Sequence, residues 1–196
     1  MVNKKSGRLA VSRFRQEVAS IRQFLLAIGT AGLSREWVFW SYDYAIIQLN
    51  SAFERLITVA LVAAINNDTR TISERTGIQF PSHLTDEICE YLVTGGGFLD
   101  MKGRDGMIRT LKEFVPDNHY LVQTVKDPQY SQALERLFAL RNLAAHGSKV
   151  SKVSARRAVG MRLLSSGAWL SRRGRFDDIA SKLESLAESI RAQAWH

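Results

Sequence analysis

The chain has 196 residues, of which 45% are apolar and 23% charged, and its formal net charge is +8. This length suits one domain with a substantial core, and the composition is that of an ordinary globular protein. The single cysteine, Cys89, excludes an internal disulfide and a thiolate zinc cluster, and the four histidines lack metal-ligand spacing. We therefore expect neither a metal nor a cofactor. The basic excess favours a polyanionic partner without naming it.

The hydropathy of the chain argues against a membrane span. The most apolar window, from Leu56 to Ile65, is about ten residues long, which is too short to cross a bilayer. The segment from Met1 to Arg15 is basic and lacks an apolar signal core. Its arginine content is that of an organelle transit peptide, but we interpret it as the solvated start of the first helix. We expect a cytoplasmic protein that does not bind a membrane.

Apolar periodicity indicates helices nearly throughout, and strand patterns are weak. Weaker patterns predict short helices from 81 to 93, with Thr85 as an alternative start, and from 107 to 114. The basic, glycine-broken segment 148–175 is predicted to mix helix and loop. We expect a single all-α domain over 1–196, a bundle of four main helices with an insertion around 67–129. The four main helices are predicted at 11–28, 34–65, 130–146 and 176–193.

The second main helix carries two apolar stripes. The first consists of Trp37, Trp40, Tyr44 and Ile47. The second consists of Ile46, Leu49, Phe53, Leu56 and Ala60. Two stripes predict burial on more than one side, as in a central helix or in one that also meets a second subunit. The two tryptophans are accordingly expected in the core or at a dimer interface.

The third main helix ends in the most informative motif of the chain. An arginine and a histidine are separated by four residues, with an asparagine directly after the arginine and a glycine directly after the histidine. The segment reads Arg141-Asn142-Leu143-Ala144-Ala145-His146-Gly147. This motif resembles that of HEPN domains, which are small helical bundles found in ribonucleases, toxins and antiviral systems. The aromatic-rich second helix and the Phe53-Glu54-Arg55-Leu56 stretch are similar to a ribosome-linked and phage-defence HEPN group.

The resemblance implies a metal-independent endoribonuclease with Arg141, Asn142 and His146 at its site. RNA can be cut when its own 2′-hydroxyl attacks the adjacent phosphorus. That route needs a base, an acid and positive charge for the phosphorane oxygens. Histidine fills either proton role near neutral pH, and arginine binds phosphate as a fork. A toxin or an antiviral defence effector is the expected biological role.

Helix geometry qualifies this prediction. Residues five apart differ by about 140° around an ideal helix and by about 7.5 Å along it, so Arg141 and His146 do not share a face. Asn142 and His146, four apart, do. Either Arg141 reaches across, or the helix bends, or the site forms between two chains. The resemblance implies the third case, a homodimer in which both copies act on one phosphate.

Other residues have supporting or competing interpretations. Asp43, Asn50 or Glu54 can orient the motif, with Glu54 the first choice. In a purely structural alternative, Asp43 or Glu54 pairs with Arg141 or His146 without any catalytic part. A basic group after the motif is predicted to extend a phosphate track for RNA or, alternatively, to form an ordinary solvated helix face. It consists of Lys149, Lys152, Arg156 and Arg157.

Two further alternatives remain open at this level. One is a HEPN-like module that dimerises and binds nucleic acid, nucleotide or a protein partner without cutting. The other is a helical interaction protein that neutralises a partner. HEPN toxins with a nucleotidyltransferase antitoxin usually carry a tyrosine two residues after the histidine, and this chain has Ser148 there. That departure puts such an antitoxin in doubt, although another antitoxin or defence-system partner stays compatible with the sequence.

Overall fold

The computed structural model describes residues 6–97, 99 and 101–194. Lys4 and Lys5 of the basic N-terminus, and the fourth histidine, His196, lie outside these residues. The described residues form helices and no strand, so the prediction of an all-α fold is confirmed. The helices are α1 (Gly7–Thr30), α2 (Arg35–Asn67), α3 (Arg70–Thr76), α4 (Asp86–Thr94), α5 (Gly103–Lys112), α6 (Tyr120–Lys126), α7 (Pro128–His146), α8 (Lys149–Val159), α9 (Ser166–Leu170) and α10 (Arg175–Gln193).

The four predicted main helices correspond to α1, α2, α7 and α10. The predicted apolar face of α10 is fully buried, because its four residues are each at most 1% exposed. They are Ile179, Leu183, Leu186 and Ile190. The prediction that the short fourth helix starts at Pro81 is wrong, and the alternative start is confirmed. Thr85 is the N-cap of α4, and its hydroxyl accepts a hydrogen bond from the backbone N–H of Ile88.

The chain divides into two compact units. Unit 1 consists of Met1–Phe14, Glu54–Asp127 and Leu186–His196. Unit 2 consists of Arg15–Phe53 and Pro128–Ser185. Each has its own apolar core, with Leu61, Ile72 and Met107 fully buried in unit 1 and Leu49, Leu137 and Leu183 fully buried in unit 2. The motif from Arg141 to His146 belongs to unit 2.

The two stripes of α2 have opposite environments. The stripe from Ile46 to Ala60 is buried throughout. Trp37, Trp40 and Tyr44 are instead 58%, 59% and 54% exposed. Placing the two tryptophans in the core was therefore wrong, because periodicity reveals an apolar face but not what covers it. Their assignment to a dimer interface stays a prediction.

Helix α2 is also long and apolar enough to cross a membrane by length and composition alone. The ten-residue window from Leu56 to Ile65 underestimates its apolar extent, since an 18-residue window within the helix has a mean hydropathy of 1.4. Of that longer window, 61% is buried inside the protein. A buried core helix meets the same criterion, so the composition of α2 is weak support for a membrane span.

Candidate active site

The Arg141–His146 motif occupies the C-terminal end of α7, and His146 is the last residue of the helix. Gly147 follows with a φ of +58°, a left-handed conformation that favours glycine. Its N–H donates to the carbonyl oxygen of Leu143 at 3.0 Å, which caps the helix end. The chain thus turns away directly after His146 and leaves this side chain exposed.

The side chain of Arg141 is directed to Asn142. Its Nη1 donates a hydrogen bond to the Asn142 Oδ1 at 3.0 Å. Asn142 is exposed and shares a helix face with His146, so this bond brings the guanidinium towards the histidine side. The helix is continuous from Pro128 to His146. No hydrogen bond joins Arg141 to His146 within the described residues, so a composite site between two chains stays a prediction.

The predicted supporting residues have other partners. The carboxylate of Asp43 accepts a hydrogen bond from the backbone N–H of Gly167 at 2.6 Å. Burial raises the pKa of Asp43, and the Gly167 hydrogen bond opposes that shift. Glu54 is half-buried and belongs to unit 1. Within the described ranges neither carboxylate forms a hydrogen bond or ion pair with Arg141 or His146 in this chain, and their supporting role stays a prediction.

Asn50, the third polar candidate on α2, is completely buried. Among the described residues, neither its amide nitrogen nor its side-chain oxygen has a hydrogen-bond partner. It follows Asp43 by seven residues, two helical turns, and so lies on the same face of α2. Its position on that face directs it into the core of unit 2, and its role in orienting the motif stays a prediction.

The predicted RNA-binding cations lie on α8, directly after the motif. Ser148 caps this helix by accepting a hydrogen bond from the Ser151 N–H at 3.1 Å. The buried face of α8 consists of Ser151, Ala155 and Val159. The cationic residues lie off this face: Lys152 is half-buried, and the other three are exposed. They are Lys149, Lys152, Arg156 and Arg157. Two exposed valines, Val150 and Val153, lie among them.

Sequence reasoning missed the way α9 supports the motif helix. Ser166 is fully buried, and its hydroxyl donates to the carbonyl oxygen of Leu140 at 2.8 Å. A Cβ on Gly167 would overlap the backbone of Phe39, with the carbonyl carbon at 2.6 Å. Helix α9 thus packs backbone-to-backbone against α2 while it bonds to α7. The only sequence signal was the Ser-Ser-Gly run, which resembles an ordinary loop.

The net charge of the protein is concentrated around this site. Residues 128–175 contain ten Lys or Arg residues and one acidic residue, Glu135. Their net charge of +9 exceeds the +8 of the whole chain. No ion pair is formed by any side chain of this segment, all of which the structure describes. A positive field of this kind attracts polyanions.

The remaining described histidines have local structural partners. His83 Nδ1 lies 2.9 Å from the carbonyl oxygen of Asn66, so this nitrogen carries the proton of that bond. His119 caps α6 by accepting from the N–H of Leu121, and burial lowers its pKa. Among residues 6–97, 99 and 101–194 no three His, Cys, Asp or Glu side chains are grouped so as to hold a metal ion.

No protein-family model, curated protein or solved structure matches this chain. A function must therefore be inferred from the side chains themselves, foremost Arg141, Asn142 and His146.

Proposed function

We propose that the protein is a metal-independent endoribonuclease of the HEPN type, built on a HEPN-like bundle. The observation that carries this proposal is the exposed end of α7. There Arg141 is bonded to Asn142 on the face of His146, and no carboxylate of the described residues neutralises it. The structural alternative, an Arg141–Asp43 ion pair, loses support because the Asp43 carboxylate binds Gly167 instead.

The proposed reaction uses the RNA as its own nucleophile. The 2′-oxygen forms a bond to the adjacent phosphorus, and the bond from phosphorus to the 5′-oxygen breaks. A neutral imidazole takes the 2′-hydroxyl proton, and an imidazolium gives a proton to the departing 5′-oxygen. The Arg141 guanidinium neutralises the non-bridging oxygens of the phosphorane. The products carry a 2′,3′-cyclic phosphate and a 5′-hydroxyl, and no water or metal enters the equation.

A homodimer completes this scheme. The described part of one chain offers a single exposed histidine at the motif, whereas the reaction has two proton transfers. A second copy supplies the other imidazole at a composite site. The exposed Trp37, Trp40 and Tyr44 provide an apolar face in the same unit as the motif, and we propose it as the contact between the copies.

The proposed substrate is RNA held by the cations of α8. Lys149, the first residue of that helix, follows His146 by only three residues, so a strand bound along α8 passes close to the motif. The setting we propose is the cytoplasm, where such an activity serves a toxin or an antiviral defence effector. A cognate antitoxin or defence-system partner would then restrain it.

The decisive experiment incubates purified protein with single-stranded RNA in EDTA. Wild type is compared with Arg141→Ala and His146→Ala, and Arg109→Ala in unit 1 serves as the charge-matched control. The proposal requires cleavage in EDTA by wild type and the control, cyclic-phosphate ends, and no cleavage by the two motif variants. Wild-type protein that folds and binds RNA but leaves it intact would favour the alternative, a non-catalytic HEPN-like binding module.

Mixing wild type with an excess of His146→Ala tests the composite site. A mixed dimer then holds one His146 imidazole, whereas the proposed reaction needs two. If the two copies act together, activity per wild-type chain falls as the share of the variant rises. If each chain acts alone, activity per wild-type chain stays constant.

A further inference from the structure

A second group of cations surrounds Trp169, away from the Arg141–His146 motif. The Cζ atom of Arg175 lies 4.5 Å from the centroid of this ring, and the Cζ of Arg136 lies 5.6 Å from it. Trp169 itself is 6% exposed, so its ring serves as a buried support for the two guanidinium groups. Such stacking orders arginine side chains while their N–H edges remain able to donate.

These cations have no acidic partner among the described residues. Arg175 donates to the carbonyl oxygen of Trp169 at 3.3 Å, and Arg136 donates to that of Ala158 at 3.5 Å. Burial lowers the pKa of Arg175, and the positive charges of Arg172 and Arg136 lower it further. Arg175 on α10 is therefore repelled by Arg136 on α7 and by Arg172 in the turn before α10, and an anion would relieve that repulsion.

The cluster lies at the far end of the basic helix α8. Arg136 precedes His146 by ten residues, which corresponds to about 15 Å along α7. Helix α8 starts directly after the motif, and the carbonyl of Ala158, near its end, accepts the Arg136 hydrogen bond. It therefore runs back along α7. Its exposed cations fill the interval between the motif and the cluster.

We propose that Arg136, Arg172 and Arg175 form a second phosphate-binding site, which holds the backbone of a single-stranded RNA that also reaches His146. Only the identity of the ligand as RNA rests on the proposed function. Guanidinium forks match phosphate oxygens, and three of them can share one or two adjacent phosphates. The cluster thus anchors the strand at one end of α8, while the motif contacts it at the other.

The test measures RNA binding in a background that cannot cut. Fluorescence anisotropy of a labelled single-stranded RNA is followed against salt concentration for His146→Ala, alone and combined with Arg172→Ala or Arg175→Lys. Arg172 is exposed, and its guanidinium is not stacked on the Trp169 ring, so its removal leaves the fold intact. Arg175→Lys keeps the charge but loses the fork. Arg109→Ala in the same background is the matched control.

We expect Arg172→Ala to weaken binding about tenfold at low salt and to reduce the slope of log affinity against log salt by about 0.7 for each phosphate that is no longer bound. Arg175→Lys should weaken binding less and keep the slope. Unchanged affinity and slope in Arg172→Ala and Arg175→Lys, or no RNA binding at all, would overturn the second site. If the variants change RNA binding as expected but wild type never cleaves RNA, the second phosphate-binding site is supported and the proposed cleavage is wrong.

Discussion

The two units differ in how their charged side chains are paired. In unit 1, surface cations meet carboxylates at short range: Arg75 binds Glu113 at 3.0 Å, and Asp117 binds both Lys112 and Lys126 at 3.0 and 2.7 Å. The stretch 54–127 contains eight basic and eleven acidic residues. In unit 2, residues 128–175 contain ten cations and one acid, and this described stretch forms no ion pair.

We expect the difference in ion pairing to affect the binding of polyanions more than the free energy of unfolding. Unit 2 does contain ion pairs outside that stretch, from Arg22 to Asp177 and to Glu184. Exposed ion pairs contribute about 0–1 kcal/mol each, so unit 1 gains little stability from its pairs and the stretch 128–175 loses little without them. What differs is the electrostatic field. Positive and negative charges nearly cancel over unit 1, whereas the field over unit 2 is strongly positive. The Arg141–His146 motif lies within the positive segment.

The largest expected effect compares two exposed histidines, one in each unit. His146→Ala should lower the rate of RNA cleavage by about 10²–10⁴-fold, because it removes a proton donor or acceptor. His83→Ala should leave the rate within about twofold, since His83 lies outside the motif and bonds to the helix-end carbonyl of Asn66. Single-turnover cleavage measures both. Equal rates for the two variants would remove His146 from the chemistry.

The next effect concerns the docking of α9, on which the arrangement of the positive segment depends. Gly167→Ala should destabilise the protein by about 3 kcal/mol, since its Cβ would overlap the Phe39 backbone. Gly29→Ala is the matched control, because Gly29 lies within α1 and a Cβ added there would meet nothing within 4 Å. It should stabilise by about 0.5–1 kcal/mol. Urea unfolding measures both, and equal midpoints would contradict the close approach.

A smaller effect separates the cations of the two units. Lys149→Ala with Arg156→Ala should reduce the salt slope of RNA binding by about 0.7 for each phosphate that is no longer bound. The unit 1 pair Lys112→Ala with Lys126→Ala removes the same charge but leaves Asp117 unpaired, and it should keep the wild-type slope. Equal reductions in both double variants would mean that net charge alone governs binding.

The smallest expected effect concerns two aspartates, Asp43 and Asp68, whose pKa values are shifted in opposite directions. Burial raises the pKa of Asp43 in unit 2, whereas the Arg70 guanidinium lowers that of Asp68 in unit 1. Asp43 binds its proton more tightly when folded, so its contribution to stability grows as pH falls through the raised pKa towards the unfolded value. The contribution of Asp68 is present above its unfolded pKa and is lost as pH falls.

Carboxyl-carbon NMR titration of the folded protein checks both directions. Asp43→Asn should abolish the gain in folding stability that Asp43 contributes as pH falls. Asp68→Asn should abolish the loss of folding stability that Asp68 causes over the same fall in pH. Two shifts of the same sign would contradict the burial of Asp43 or the pairing of Asp68.

The long helices were predictable because their buried faces repeat large apolar residues. Two seven-residue helices, α3 and α6, were missed because they are too short for any period to emerge. Helix α8 was recognised only as mixed helix and loop, since its buried face consists of small residues such as Ser151 and Ala155. Small residues bury little apolar area and give a weak periodic pattern.

Only those features of the candidate site that involve residues close together in sequence were predictable. The order of Arg141, Asn142 and His146 on one helix follows from the sequence, and so does the shared face of the last two. That Asp43 binds Gly167, or that Arg136 and Arg175 enclose Trp169, depends on contacts between residues far apart in sequence. No local pattern carries such information. The exposure of Trp37 and Trp40 was unpredictable for the same reason.

The close approach of Gly167 to Phe39 also affects how genetic screens of this protein should be interpreted. Any side chain at position 167 meets the same carbonyl group, so every substitution there should be rejected, including the smallest. In a selection for loss of activity, Gly167 would therefore score like His146. Only an assay that separates soluble yield from turnover would show that one position maintains the scaffold and the other the chemistry.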